Sequence, residues 1–81
     1  MTALAKLPPR SDLVRQDQLA VLNWTAVEHA DLVASCAISA REAAMRGWVE
    51  GARHHALQAR LALVELLATT REAVELSEGA E

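Results

Sequence analysis

The chain has 81 residues and a net charge of −3, and 52% of its residues are hydrophobic although only two, Trp24 and Trp48, are aromatic. This length fits one domain at most, and the apolar content is too high for intrinsic disorder. A lone cysteine, Cys36, excludes an internal disulfide scaffold. The mildly acidic balance gives no general electrostatic reason to bind nucleic acid or an anionic membrane.

The first ten residues contain both prolines of the chain, Pro8 and Pro9. Because proline disfavours helix at the residue before it, we expect residues 1–10 to form an extended lead-in. They lack the apolar run of a signal peptide, and no later stretch approaches the roughly 20 apolar residues that cross a membrane. We therefore expect a cytoplasmic protein with no membrane interaction.

The first predicted helix covers about residues 11–46. Ser11 is a suitable N-cap residue, and nothing between it and Arg46 breaks a helix. At 100° per residue the sequence predicts one apolar arc along this helix. Its members are Leu19, Leu22, Ala26, Ala30, Val33, Ala37, Ala40 and Ala44.

The second predicted helix covers about residues 51–77, after a turn at about 47–51 and before a frayed acidic tail at 78–81. Its apolar arc consists of Trp48, Ala52, Ala56, Ala59, Leu63, Leu66, Leu67, Thr70 and Val74. A chain that folds back at the turn would pack the alanines of the two arcs together, with Trp48 at the closed end. The alternatives are one continuous helix, because a glycine within a helix costs only about 1 kcal/mol, and a further break near Asp31.

The predicted fold is therefore all-α, an antiparallel two-helix hairpin. Both helices also carry apolar residues away from the predicted arcs: Val14, Val21, Trp24, Leu32, Cys36, Leu57, Leu61, Val64 and Ala68. One hairpin cannot bury all of them, and contiguous exposed apolar surface usually marks an interface. We expect two hairpins to pair as a homodimer with the architecture of a four-helix bundle.

The histidines are the first candidates for chemistry. Glu50 and His54 lie four residues apart on one helical face, and a fold-back at the turn brings His29 near Glu65. Each of these pairs supplies only two of the four ligands that a metal normally takes. We therefore expect neither a metal nor a cofactor. The roles of His29, His54 and His55 stay open.

No catalytic residues are predicted. Cys36 lies among Leu32, Val33 and Ile38, so we expect a buried structural thiol, and no base is positioned by the sequence to activate it. The serines have no credible catalytic partners. The sequence also lacks glycine-rich loops. We expect a protein that is not an enzyme.

The sequence is most typical of a small interaction module, an adaptor, chaperone-like protein or accessory regulator, that acts as a helical homodimer on an unidentified protein partner. Trp24, Val21 and Leu32 are the predicted partner-binding residues, since tryptophan is enriched at binding hot spots. The alternative is a nucleic-acid-associated regulator. For that function a stripe of arginines on the second helix would contact the phosphate backbone: Arg53, Arg60 and Arg71.

Overall fold

The computed structural model describes residues 10–79, and the side chains of residues 13–79. Within this range the chain forms two helices, α1 (Arg10–Met45) and α2 (Val49–Glu78), and no strand. The helices pack side by side, which confirms the predicted all-α hairpin. Most of the predicted lead-in, residues 1–9, and the last two residues of the predicted tail lie outside the described range.

The turn between the helices is a compact glycine-dependent cap. Gly47 has φ +77°, in the left-handed region that favours glycine. The Trp48 N–H donates to the Ala43 carbonyl at 2.9 Å and the Gly47 N–H donates to the Ala44 carbonyl at 3.0 Å. These two bonds form a Schellman motif, which satisfies carbonyls that the end of α1 leaves unpaired. The chain therefore reverses at Gly47 instead of continuing as one helix.

Trp48 lies at the closed end of the hairpin, immediately before α2. Its ring covers Gly51, where even a Cβ atom would collide with it. Because α2 begins at Val49, Gly51 belongs to the first turn of that helix, where the sequence predicted the end of the connecting turn. The need for glycine at position 51 therefore comes from the tryptophan ring and not from chain reversal.

The two helices meet along a seam whose positions alternate in steps of four and three residues, the heptad pattern of a coiled coil. The seam positions are all buried or half-buried. On α1 they are Leu19, Leu22, Ala26, His29, Val33, Cys36, Ala40 and Ala43, and on α2 they are Ala52, His55, Ala59, Ala62, Leu66, Thr69, Ala73 and Leu76. Half of these residues are alanine or cysteine, so the helix backbones can approach closely.

The predicted apolar arcs are only partly correct. Several of their members lie off the seam and are exposed: Ala30, Ala37, Ala44, Trp48, Ala56, Leu63, Leu67, Thr70 and Val74. The prediction used the 3.6-residue period of a straight helix, whereas a coiled-coil seam repeats every 3.5 residues. The two periods drift apart by about 20° per heptad, so the wheel selected residues on one flank of the seam.

The sequence placed Cys36 among the apolar residues outside the predicted arcs and also predicted that its thiol is buried. The second prediction is confirmed. Cys36 lies on the seam and is buried. Its predicted neighbours Leu32 and Ile38 are exposed, while Val33 is half-buried. The other buried apolar residues in the described range are Ala43 and Ala62, so the hairpin encloses no large side chain. Across its long axis the molecule measures 20 × 12 Å, which is one layer of two helices.

Candidate interaction surface

The heptad seam divides the remaining side chains of the hairpin between two broad faces. One shallow depression of about 260 Å³ is lined from both helices, by Leu32, Cys36, Gln58, Leu61, Ala62 and Glu65. Cys36 and Ala62 belong to the seam, so the other four residues show which flank of α1 and which flank of α2 lie on the same side. The two remaining flanks form the opposite face.

The face with the depression is called the acidic face here. Its charged side chains include five glutamates and one arginine: Glu28, Glu42, Glu65, Glu72, Glu75 and Arg46. It also exposes apolar residues, namely Val14, Val21, Leu32, Leu61 and Ala68. Apolar and negatively charged side chains therefore alternate along this face.

The opposite face is called the apolar face. It consists of Leu13, Ala20, Val27, Ala30, Ala34, Ala37 and Ala44 of α1 and Ala56, Leu63, Leu67 and Val74 of α2, with the polar residues Gln16, Asn23, Arg41, Arg53, Arg60, Thr70 and Ser77. All of these side chains are exposed. Within residues 13–79 this face carries no carboxylate.

Within residues 13–79, the three cations of the apolar face all lie in the half of the hairpin nearer the turn. The His29–Glu65 pair marks the middle of the hairpin, since it joins the two helices about halfway along α1. Arg41, Arg53 and Arg60 lie between that pair and the turn. The half toward the open end carries no charged side chain on this face in the described range.

The predicted approach of His29 to Glu65 is confirmed. His29 Nδ1 lies 3.4 Å from Glu65 Oε2, and the carboxylate is largely exposed, with 63% of its side chain accessible. The two residues link the seam to the acidic face. No third His, Cys, Asp or Glu completes a metal-binding group with them, or anywhere else in the part of the chain that the structure describes.

His54 and His55 lie side by side at the start of α2 with their ring centroids 5.4 Å apart and the rings steeply inclined. His55 belongs to the seam. His54 lines a second small depression on the outer side of α2, together with Glu50, Arg53 and Leu57. The predicted Glu50–His54 proximity on one side of the helix is therefore present, without further metal ligands.

The predicted partner-binding residues are all exposed, but they do not form one patch. Trp24 is 65% exposed and Val21 is 64% exposed. Val21 and Leu32 lie on the acidic face, whereas the heptad register puts Trp24 on the outer edge of α1. Val21 and Trp24 are neighbours one helical turn apart, whereas Leu32 lies about two turns from Trp24 and about three turns from Val21.

The predicted arginine stripe is divided. Arg71 lies on the outer edge of α2, where its Nε donates to Glu75 Oε1 at 3.3 Å. Arg53 and Arg60 lie on the apolar face. Arg41 of α1 joins them there, a residue that the sequence prediction missed because it treated the helices separately. Once the heptad register is known, Arg41 could have been found from the sequence.

Comparisons with protein-family models, with curated proteins and with solved structures find no match to this chain. Neither helix contains, within the described residues, a stretch long and apolar enough to cross a membrane.

Proposed function

We propose that this chain is a non-enzymatic interaction protein that works as a homodimer, with two hairpins stacked through their apolar faces as a four-helix bundle. The observation that carries this proposal is the apolar face itself, an exposed aliphatic surface on which the described residues include no carboxylate. Since a two-fold interface brings the same surface of both copies together, a self-associating face must tolerate its own charges. The acidic face, with its five glutamates, meets this condition poorly.

Stability supports the same arrangement. The buried apolar residues of the hairpin are Cys36, Ala43 and Ala62 in the described range, which is a small core for two long helices. Burying a large aliphatic side chain contributes roughly 1.5–3 kcal/mol. Covering Leu63, Leu67 and their counterparts on a second copy therefore contributes several kcal/mol, a large share of the stability of a small domain.

The size of the apolar face is adequate for a stable dimer. A helix of 36 residues is about 54 Å long, and the pair of helices is 20 Å wide. One face therefore offers about 1,000 Å² per copy, or about 2,000 Å² in total, at the border between standard and obligate interfaces.

A dimer of this kind would leave the acidic face and the outer edge of α1 accessible. Val21, Trp24 and Leu32 would then remain available to a protein partner, in keeping with an adaptor, chaperone-like or accessory role. Nucleic-acid binding is the weaker candidate, because Arg71 is paired with Glu75 and dimerisation would cover the face that holds Arg53 and Arg60. No observation in the structure favours it.

The test compares two leucines of similar exposure on opposite faces. Leu67 of the apolar face is 61% exposed and Leu61 of the acidic face is 66% exposed. We expect sedimentation equilibrium to give twice the 8.8 kDa chain mass for the wild type. Leu67→Lys should weaken dimerisation at least ~100-fold, since each copy loses roughly 1.5–3 kcal/mol of burial and gains a charge at the interface.

Leu61→Lys is the matched control and should change the dimer dissociation constant less than ~3-fold, because a surface substitution outside an interface has little effect. Equal effects of the two variants would contradict the choice of face. A wild type that sediments as an 8.8 kDa monomer at micromolar concentration and still unfolds in one sharp thermal transition would contradict the dimer.

A further inference from the structure

We propose that the two copies stack with opposite polarity, so that the turn of one hairpin lies over the open end of the other. This inference rests on the proposed homodimer and specifies its geometry. Two-fold symmetry allows two simple ways to place one apolar face on another. The turns either coincide at one end of the bundle or lie at opposite ends.

The charges of the apolar face distinguish the two arrangements. If the turns coincided, α1 would lie over α2 of the second copy, and Arg41 would come close to Arg53 of that copy, twice by symmetry. Six guanidinium groups would then share one end of the interface. Like charges that meet across an interface repel strongly, so this arrangement is disfavoured.

Opposite polarity separates Arg41 from Arg53 of the second copy, and only Arg60, five residues from Glu65, stays within about 15 Å of its own counterpart along the bundle. Each α1 then lies over α1 of the second copy in the reverse direction, and each α2 lies over α2. The arginines near the turn face an open end whose residues on the apolar face are neutral: Gln16, Asn23, Thr70 and Ser77. The exposed carboxylates of Asp17 and Glu78 lie at the edges of that end. The repulsion between Arg41 and Arg53 is thus exchanged for neutral contacts and for attraction toward these carboxylates.

Side-chain size leads to the same arrangement. Between the His29–Glu65 pair and the turn, the aliphatic residues of the apolar face are alanines, apart from Leu63 beside the pair. The larger residues lie at the middle and toward the open end: Leu13, Val27, Leu67 and Val74. Opposite polarity packs Leu13 and Val74 over the alanines near the turn of the second copy, and the large residues of the two middles meet at the centre. Coincident turns would instead place large on large throughout the open half and force the hairpins apart at one end.

The arrangement can be measured by pulsed electron paramagnetic resonance with one nitroxide label per chain. Cys36→Ala first removes the native thiol at a seam position that already has alanine neighbours. Met45→Cys then introduces a labelling site near the turn. Met45 lies on the outer edge of α1, away from the apolar face, and is highly exposed. Position 45 is about 17 residues from the middle of α1, which corresponds to about 26 Å along the helix.

With opposite polarity, the labels at position 45 should lie about 50 Å apart, and with coincident turns they should lie less than about 30 Å apart. Asp31→Cys, also on the outer edge but near the middle, is the control and should give less than about 30 Å in either arrangement. A short distance at position 45 would overturn the proposed polarity while leaving the homodimer intact. The absence of a dipolar signal from both sites would instead overturn the homodimer.

Discussion

The two broad faces of the hairpin differ in charge much more than in the exposure of their leucines. Leu61 and Leu67 are almost equally accessible and only six residues apart, yet Leu61 lies among glutamates and Leu67 lies on a face with no carboxylate in the described range. A count of exposed apolar residues would treat the two alike. Self-association depends on both properties, because each face must pack against its own charges.

In the proposed function, this difference in charge gives the two faces of one hairpin separate roles. The apolar face suits a second copy of the chain. The acidic face retains exposed aliphatic residues, including Val21 and Leu32, beside its negative charges, and such a mixture remains compatible with water. We interpret the acidic face and the adjoining Trp24 as the surface left for a different protein. The variants Leu67→Lys and Leu61→Lys test this division with the largest expected difference.

A smaller effect is expected from a substitution at the turn. The turn fixes how the two helices align and therefore which residues lie on each face. Gly47→Ala forces a residue with a Cβ atom to adopt φ +77°, which should destabilise the fold by about 1–2 kcal/mol. The midpoint temperature of thermal unfolding should then fall by roughly 4–16 °C for a domain of this size. The measurement is a melt followed by circular dichroism.

Gly79→Ala is the matched control for the turn. Gly79 ends α2 with φ −66°, which any residue adopts, and a Cβ atom there meets only ordinary contacts. Its effect should stay within about 0.5 kcal/mol. Equal destabilisation by the two substitutions would show that the left-handed turn does not determine the register.

The smallest effect on stability is expected at the proposed partner surface. Trp24→Ala should leave the helicity and the dimer mass unchanged and alter the free energy of unfolding by less than about 0.5 kcal/mol, because the side chain is mostly exposed. The substitution should also weaken binding to any protein partner that the wild-type chain binds. Denaturant titration monitored by circular dichroism measures the first part, and severe unfolding would place Trp24 in a core and refute its assignment.

Much of the architecture could be predicted from the sequence. Two long stretches without proline, separated by the segment from Gly47 to Gly51, predict two helices and favour the hairpin, although they also allow one continuous helix. The fold-back at that glycine also correctly brings His29 to Glu65. Both predictions depend on local chain propensities and on the length of each helix, which a single sequence contains.

The apolar face, which carries the proposed dimer, could not be separated from the seam by the sequence alone. Ala37 and Leu67 fell within the predicted inner arcs because a straight helical wheel ignores the change in period that two packed helices impose. Their exposure follows only once the heptad register is known. The same register adds Arg41 to the apolar face and puts Arg71 on an outer edge, which sequence spacing on one helix could not show.

Hydroxyl-radical footprinting of the native wild-type protein tests the difference between the faces most directly, because it measures the accessibility of individual side chains without substitution. In the hairpin alone, Leu61 and Leu67 are 66% and 61% exposed and should be oxidised at similar rates. We predict that Leu67 is protected at least ~5-fold relative to Leu61 at micromolar concentration, and that the protection decreases on dilution as the dimer dissociates. Equal oxidation of the two leucines at every concentration would contradict the proposal that a second copy covers the apolar face.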